Sequence, residues 1–105
     1  MSEIIAFNGT KAVLTEERWK HILVRHSELE NKINRVMEAV MRPDESYVDP
    51  TGAIHALKRL IDEVSDYLVV IYHKTDREGY IRTAYYMSLK RKQRRYRRFR
   101  RLKPS

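Results

Sequence analysis

The sequence predicts an α+β fold: two N-terminal helices packed on one face of a roughly four-stranded antiparallel sheet, with a short N-terminal hairpin before them and a basic C-terminal tail after. Three observations predict it. Helical periodicity and capping residues are confined to about residues 15–42, strand-like apolar runs to the stretch after Pro43, and an arginine run without acids to the end of the chain. Helix is thereby segregated from sheet along the sequence, which marks α+β rather than alternating folds. The helices would cover one face of the sheet and leave the other free to meet a ligand.

In chain order, IIAFNGTKAVL has apolar runs on both sides of Asn8-Gly9. Asn-Gly tolerates positive φ at both positions, so a hairpin with a type I′ turn is predicted. Thr15 can cap a helix over about Glu16–Arg25, with Glu16 and Glu17 in the first turn, where the dipole favours negative charge. Ser27-Glu28-Leu29-Glu30 is a capping box that restarts a helix at Ser27. Leu29, Ile33, Val36, Met37 and Val40 then form one apolar stripe, and Pro43 ends the helix. PDESYVDPTG reads as a short extended segment and a turn, with Pro50 and Gly52 as breakers. AIHALKRLI is compatible with a strand or a helical turn. DYLVVIYHK and GYIRTAYYMS, joined by the turn-like TDREG, predict an antiparallel hairpin.

A chain of 105 residues suits one domain with a core burying roughly 60–68% of the unfolded surface. No apolar run reaches the ~18 residues of a membrane helix, and the N-terminus lacks the features of a signal peptide. No membrane association is expected. Without cysteine there is no disulfide or thiolate chemistry, and a cytoplasmic location is the default. The net charge of +8 is unevenly spread: KRKQRRYRRFRRLK, residues 90–103, carries 10 of the 22 basic residues and no acid, leaving 12 basic against 14 acidic side chains elsewhere. The chain therefore divides into a domain over 1–89 and an arginine-rich tail over 90–105, helical or disordered. A like-charge block is commonly a solvated end. Here, however, Leu89, Tyr96, Phe99 and Leu102 approximate a narrow apolar stripe, and arginine interleaved with aromatic residues suits RNA, whose phosphates and bases both find partners. Arg94, Arg95, Arg97, Arg98, Arg100 and Arg101 are the candidate backbone contacts, with RNA favoured as partner over an acidic membrane.

Two histidines, His21 and His26, flank the cationic Arg25. On a continuous helix they would point about 140° apart, so they cannot chelate a metal as an i, i+4 pair does, and with His55 and His73 isolated no metal site or cofactor is expected. Both could be inert helix-face residues. Histidine beside a fixed cation is equally the minimum set for moving a proton while stabilising phosphate charge. In YIRTAYY, strand alternation places Arg82, Ala84 and Tyr86 on one side and Ile81, Thr83, Tyr85 and Met87 on the other. Thr83 and Tyr85 either pack against the helices or offer hydroxyls to phosphate or base. The expectation is a cleft that both histidines share with Thr83.

The segments LTEERWKHILVRHSELE, PDESYVDP, DYLVVIYHK and GYIRTAYY, with their W-x-H-I-x-x-x-H and T-A-Y motifs, resemble the phage-type barnase/EndoU/colicin/RelE-like nucleases, the BECR superfamily. The resemblance covers about residues 11–87. It implies two helices before a four-stranded antiparallel sheet, and a metal-independent ribonuclease that turns the substrate's 2′-hydroxyl on the adjacent phosphate to leave a cyclic phosphate. It also implies that His21 and His26 supply acid and base in an order left open, that Arg25 steadies the phosphate, and that Thr83 and Tyr85 take the last-strand position; Arg82, beside Thr83, is a further candidate substrate contact. Superfamily members that are toxins or phage proteins imply tRNA, mRNA or the ribosome as target and an antitoxin-like partner. Two other readings remain open: a non-catalytic RNA-binding protein with the same fold and tail, and a protein-interaction module whose tail docks an acidic partner.

Overall fold

The computed structural model describes residues 2–61, 65–75 and 78–103. In chain order it contains β1 (Ser2–Ile5), β2 (Lys11–Leu14), α1 (Glu16–Arg25), a 3₁₀ turn (Ser27–Leu29), α2 (Ile33–Met41), β3 (Glu45–Val48), β4 (Ile54–Arg59), β5 (Tyr67–Lys74), β6 (Gly79–Met87), α3 (Leu89–Arg95) and β7 (Arg100–Lys103). All seven strands join one mixed sheet in the order β1-β2-β6-β5-β4-β3-β7, in which the β2–β6 pair is parallel. This corrects the expected architecture. The fold is α+β, but with seven strands rather than about four, a mixed rather than antiparallel sheet, and a third helix beyond the two N-terminal ones.

The additional strands come from the two chain ends. At the N-terminal end, β1 and β2 pair as predicted, and β2 then lies beside the start of β6, with Ala12 opposite Gly79 and Val13 opposite Tyr80. Gly79 permits this approach, since a Cβ there would stand 3.2 Å from Thr10 Cγ2, just before β2, and 3.0 Å from the His73 carbonyl on the β5 side. The turn is not type I′: Gly9 alone takes positive φ (85°), and the Ala6 N–H bonds the Thr10 carbonyl while the Gly9 N–H bonds the Ala6 carbonyl. That is a type I turn closed by a left-handed glycine, the usual three-residue hairpin loop. At the other end, β7 pairs with β3. The Lys92 ammonium and the Tyr47 hydroxyl each donate at 2.6 Å to the Glu45 carboxylate, and the Tyr96 ring stacks on Tyr47 at 4.7 Å between centroids. These contacts anchor the basic segment.

Helix α1 starts as expected. The extended Thr15 accepts from the Arg18 N–H at 3.1 Å, and Arg25 complements the dipole at the far end. The helix expected to restart at Ser27 is instead one 3₁₀ turn, followed by Asn31 in the left-handed region (φ 65°) and by α2 from Ile33. No side chain caps the 3₁₀ turn. The tighter turn sends Leu29, fully buried, into the core together with Val36 and Val40. Each such burial contributes roughly 1.5–3 kcal/mol.

One face of the sheet carries Leu68, Val70 and Tyr72 of β5 against α1 and α2. The opposite face carries Tyr67, Val69 and Ile71 of β5 with Tyr47, Leu57 and Met87. The second face was expected to be open. Tyr96 and Phe99, immediately after α3, pack against its core, so ligand access is confined to the margin that they leave. In β6 the register slips between Ile71–Thr83 and Tyr72–Ile81, making Arg82 the extra residue of a bulge. The bulge corrects the expected alternation: Ile81, Ala84 and Tyr86 belong to the α1/α2 side, while Thr83, Tyr85 and Met87 lie on the α3 side. Asp76 and Arg77 of the predicted TDREG turn, and residues 104–105 of the tail, lie outside the described residues. Among the described residues, no helix is long and apolar enough to cross a membrane.

Candidate active site

Helices α1 and α3, strands β4, β5 and β6 and the β3–β4 turn converge on a cleft of about 520 Å³ lined by Arg25, His26, Asp49, His55, Ile71, Arg82, Thr83, Tyr85, Tyr86, Arg91 and Arg95. Helix α1 supplies the first corner. It terminates at His26, whose backbone N–H still bonds the Ile22 carbonyl while its own dihedrals (φ −134°, ψ 64°) leave the helix. The imidazole is thereby aimed at β6: its ring lies 5.7 Å from that of Tyr85, and Nδ1 lies 3.6 Å from the Glu28 carboxylate. The side chain is 28% exposed, which leaves the ring open to the cleft.

Strand β6 supplies the second corner through its bulge. The slip at Arg82 brings Thr83 and Tyr85 to the cleft side, and the Arg82 guanidinium donates to His73 Nε2 at 2.9 Å. The Tyr85 hydroxyl is buried without a hydrogen bond of good geometry, although it lies near enough to Tyr96 to perturb that phenol. A buried hydroxyl left without a partner at the wall of a cleft is the kind of group that a ligand completes.

The β3–β4 turn supplies the third corner. Asp49 Oδ1 accepts from the Thr51 and Ala53 amides at 2.8 and 3.1 Å and from the Thr51 hydroxyl, and Oδ2 accepts from His55 Nε2 at 2.9 Å. With Nε2 donating to the carboxylate, neutral His55 must accept at Nδ1, where the Tyr96 hydroxyl donates at 2.8 Å. Burial pushes the His55 pKa down and outweighs the opposing pull of Asp49, so the ring is held neutral near neutral pH. Burial also opposes ionisation of Asp49, but the bonds from Thr51, His55 and the turn amides prevail and hold its carboxyl well below the usual range. Burial, with Tyr85 adding to it, pushes the Tyr96 phenol far upward, so it remains a donor. The chain Asp49–His55–Tyr96 thus fixes the C-cap residue of α3 to the sheet and places Arg91 and Arg95 over the cleft.

These shifts set the response to acid. His55 has a folded pKa below its ordinary 6.5, so its contribution to stability is complete above that pH and is lost as pH falls through the folded value. Asp49 and Glu45 behave likewise relative to their ordinary 3.8 and 4.5. The melting temperature is expected to decline on acidification from pH 7, first below about pH 6.5 and more steeply through the carboxylate range. A melting temperature constant from pH 7 to 5 would contradict a buried neutral His55.

Of the residues anticipated from sequence, His26, Thr83, Tyr85, Arg25, Arg82 and Arg95 meet in this cleft. His21 is exposed and borders an adjoining cleft of about 370 Å³ that shares Arg25, Arg82 and Thr83. The two histidines therefore stand on either side of Thr83 rather than in one cavity. Arg94, Arg97, Arg98 and Arg100 are exposed and do not line the cleft, and Arg101 lies 3.7 Å from Glu45 and over the Tyr47 ring. Sequence reasoning missed His55, Asp49, Tyr96 and Arg91. His55 has no histidine near it in sequence; its signal is a histidine at an inward position of an apolar strand, six residues after an aspartate across a Pro-Thr-Gly turn. Among the described residues, no group of three or more His, Asp or Glu is placed to hold a metal ion. Comparison with protein-family models, curated proteins and solved structures finds no match.

Proposed function

We propose that this protein is a metal-independent endoribonuclease that cuts RNA through the substrate's own 2′-hydroxyl. One observation carries the reading: a single cleft holds an accessible imidazole, His26, the hydroxyls of Thr83 and unpartnered Tyr85, and the guanidinium groups of Arg25, Arg82, Arg91 and Arg95. Among the described residues its one lining carboxylate, Asp49, is already bonded to His55. A phosphodiester is the ligand that such a cationic, donor-rich site suits, because its charge grows in the pentacoordinate transition state.

In the proposed reaction a histidine takes the proton of the 2′-hydroxyl, O2′ attacks phosphorus, and the P–O5′ bond breaks. A second histidine protonates the leaving O5′. The products are a 2′,3′-cyclic phosphate and a 5′-hydroxyl. His26 and His21, on the two sides of Thr83, supply the two proton-transfer groups. The arginines donate to the non-bridging oxygens. His55 has both nitrogens occupied and is 1% exposed, so its role is positional.

That inward-facing His55 also favours a second reading, a binding protein in which the histidines are structural. Incubating purified protein with end-labelled RNA in EDTA separates the two. Cleavage is expected; intact RNA that nonetheless shifts with the protein would leave only binding.

A further inference from the structure

The cleft does not end at Thr83. The adjoining cleft, lined by Arg18, His21, Ile22, Arg25, Arg82 and Thr83, opens into a third of about 360 Å³ that includes Arg18, Arg82, His73 and Tyr80. Each neighbouring pair shares walls, Arg25, Arg82 and Thr83 at one junction and Arg18 and Arg82 at the next. One groove therefore runs between α1 and β6 from Arg91 and Arg95 to Tyr80.

Local geometry sets its cations. Arg18 and Arg25 are seven residues apart on α1, which places them on nearly one face about 10.5 Å apart along the axis, with His21 between them. Arg82 faces them from the β6 bulge. Among the described residues, no carboxylate lines the two smaller clefts. Among the described residues, no ion pair joins Arg18, Arg25 or Arg82 to a carboxylate, whereas Lys11, Arg42, Lys58, Lys92 and Arg101 each have one. Unneutralised cations repeating along a groove form an anion site of the same repeat. At its far end Tyr80 is 44% exposed, and its hydroxyl is tethered to the Glu78 carboxylate, which orients the ring as a surface on which a base can stack.

We propose that this groove is a track for single-stranded RNA holding at least three consecutive phosphates, with its outermost subsite formed by Arg18, His73 and Arg82 and a base platform at Tyr80. The proposal rests on the nuclease reading for where the strand is cut, but not for whether it binds. Cations on two facing walls suit one backbone lowered between them. A duplex, whose two backbones lie on the outside of a broad cylinder, meets one wall at a time.

The test uses fluorescently labelled 2′-O-methyl RNA oligomers of two to eight nucleotides, which lack the attacking hydroxyl and so report binding alone. Affinity is expected to rise at least tenfold between the dimer and the pentamer. Arg18→Ala and His73→Ala are each expected to lose affinity for the pentamer, about tenfold for Arg18→Ala, with a deficit that shrinks as the oligomer shortens. Arg18→Ala should also reduce the log–log salt slope by about 0.7, the share of one phosphate on a single strand. Lys58→Ala, a cation outside the groove, should bind as the parent does. Affinity independent of length, an Arg18→Ala deficit equal at every length, or duplex RNA competing as well as single strand would overturn the track. Length-dependent binding without cleavage would retain the track and remove the nuclease; cleavage with length-independent binding would do the reverse.

Discussion

His26→Ala is expected to reduce RNA cleavage at least ~100-fold while leaving RNA affinity within a few-fold of the parent, the range for losing a positioned proton-transfer group. The split between rate and affinity follows from the site's construction. In the proposed site arginines from three elements would attract phosphate, and none depends on the imidazole: Arg25 precedes it on α1, Arg82 is set by the β6 bulge, and Arg91 and Arg95 are held through α3. The fold is also insulated from the change. The bond that ends α1 uses the backbone N–H of residue 26, which alanine retains, and the ring is only partly buried. Single-turnover cleavage and anisotropy binding on the same preparation check this. A variant that cuts at the parental rate would remove His26 from the chemistry, and one that loses binding and cleavage equally would make it a binding residue.

The second large effect falls on stability. Tyr96→Ala is expected to cost about 3–5 kcal/mol, the range for removing a buried aromatic side chain, and the melting temperature should fall by roughly 12 °C or more. Tyr96 is 4% exposed, stacks on Tyr47, meets His55 and Phe99 edge to face at 5.3 and 5.2 Å, and donates to His55. Tyr96→Phe keeps the ring contacts and leaves His55 Nδ1 unpaired, at a cost of about 1–3 kcal/mol. Because α3 carries Arg91 and Arg95, both variants should also weaken RNA binding, Tyr96→Ala more than Tyr96→Phe. A Tyr96→Ala protein as stable as the parent would mean that residues 89–103 do not fold onto the sheet in solution.

The contrast between those two sites shows what the sequence could disclose. Helix α1 was legible because its signals are local: Thr15 to cap, acids behind it, Arg25 at the end, and His21 and His26 at positions that followed from it. The β5–β6 hairpin was legible from its β-branched and aromatic runs. The bulge at Arg82 was not, because a one-residue slip is decided by packing, with Ile81 drawn into the α1/α2 core and Thr83 paired with Ile71 on the opposite side. Ser27 and Glu30 carry a capping pattern, but burial of Leu29 takes precedence over it. The arginine-rich segment reads as a solvated end because like charges repel. Its anchors, Glu45, Tyr47 and His55, are more than 35 residues away in sequence and become neighbours only after the sheet has formed. The same separation concealed the bond from Tyr96 to His55.

The most direct test of the central claim is the chemistry of the cut ends. RNA digested by the protein in EDTA and weighed by mass spectrometry is expected to yield 5′ fragments ending in a 2′,3′-cyclic phosphate and 3′ fragments beginning with a 5′-hydroxyl, with a single 2′-deoxy substitution abolishing the cut that follows it. Ends bearing a 5′-phosphate, or cleavage that survives the deoxy substitution, would contradict it.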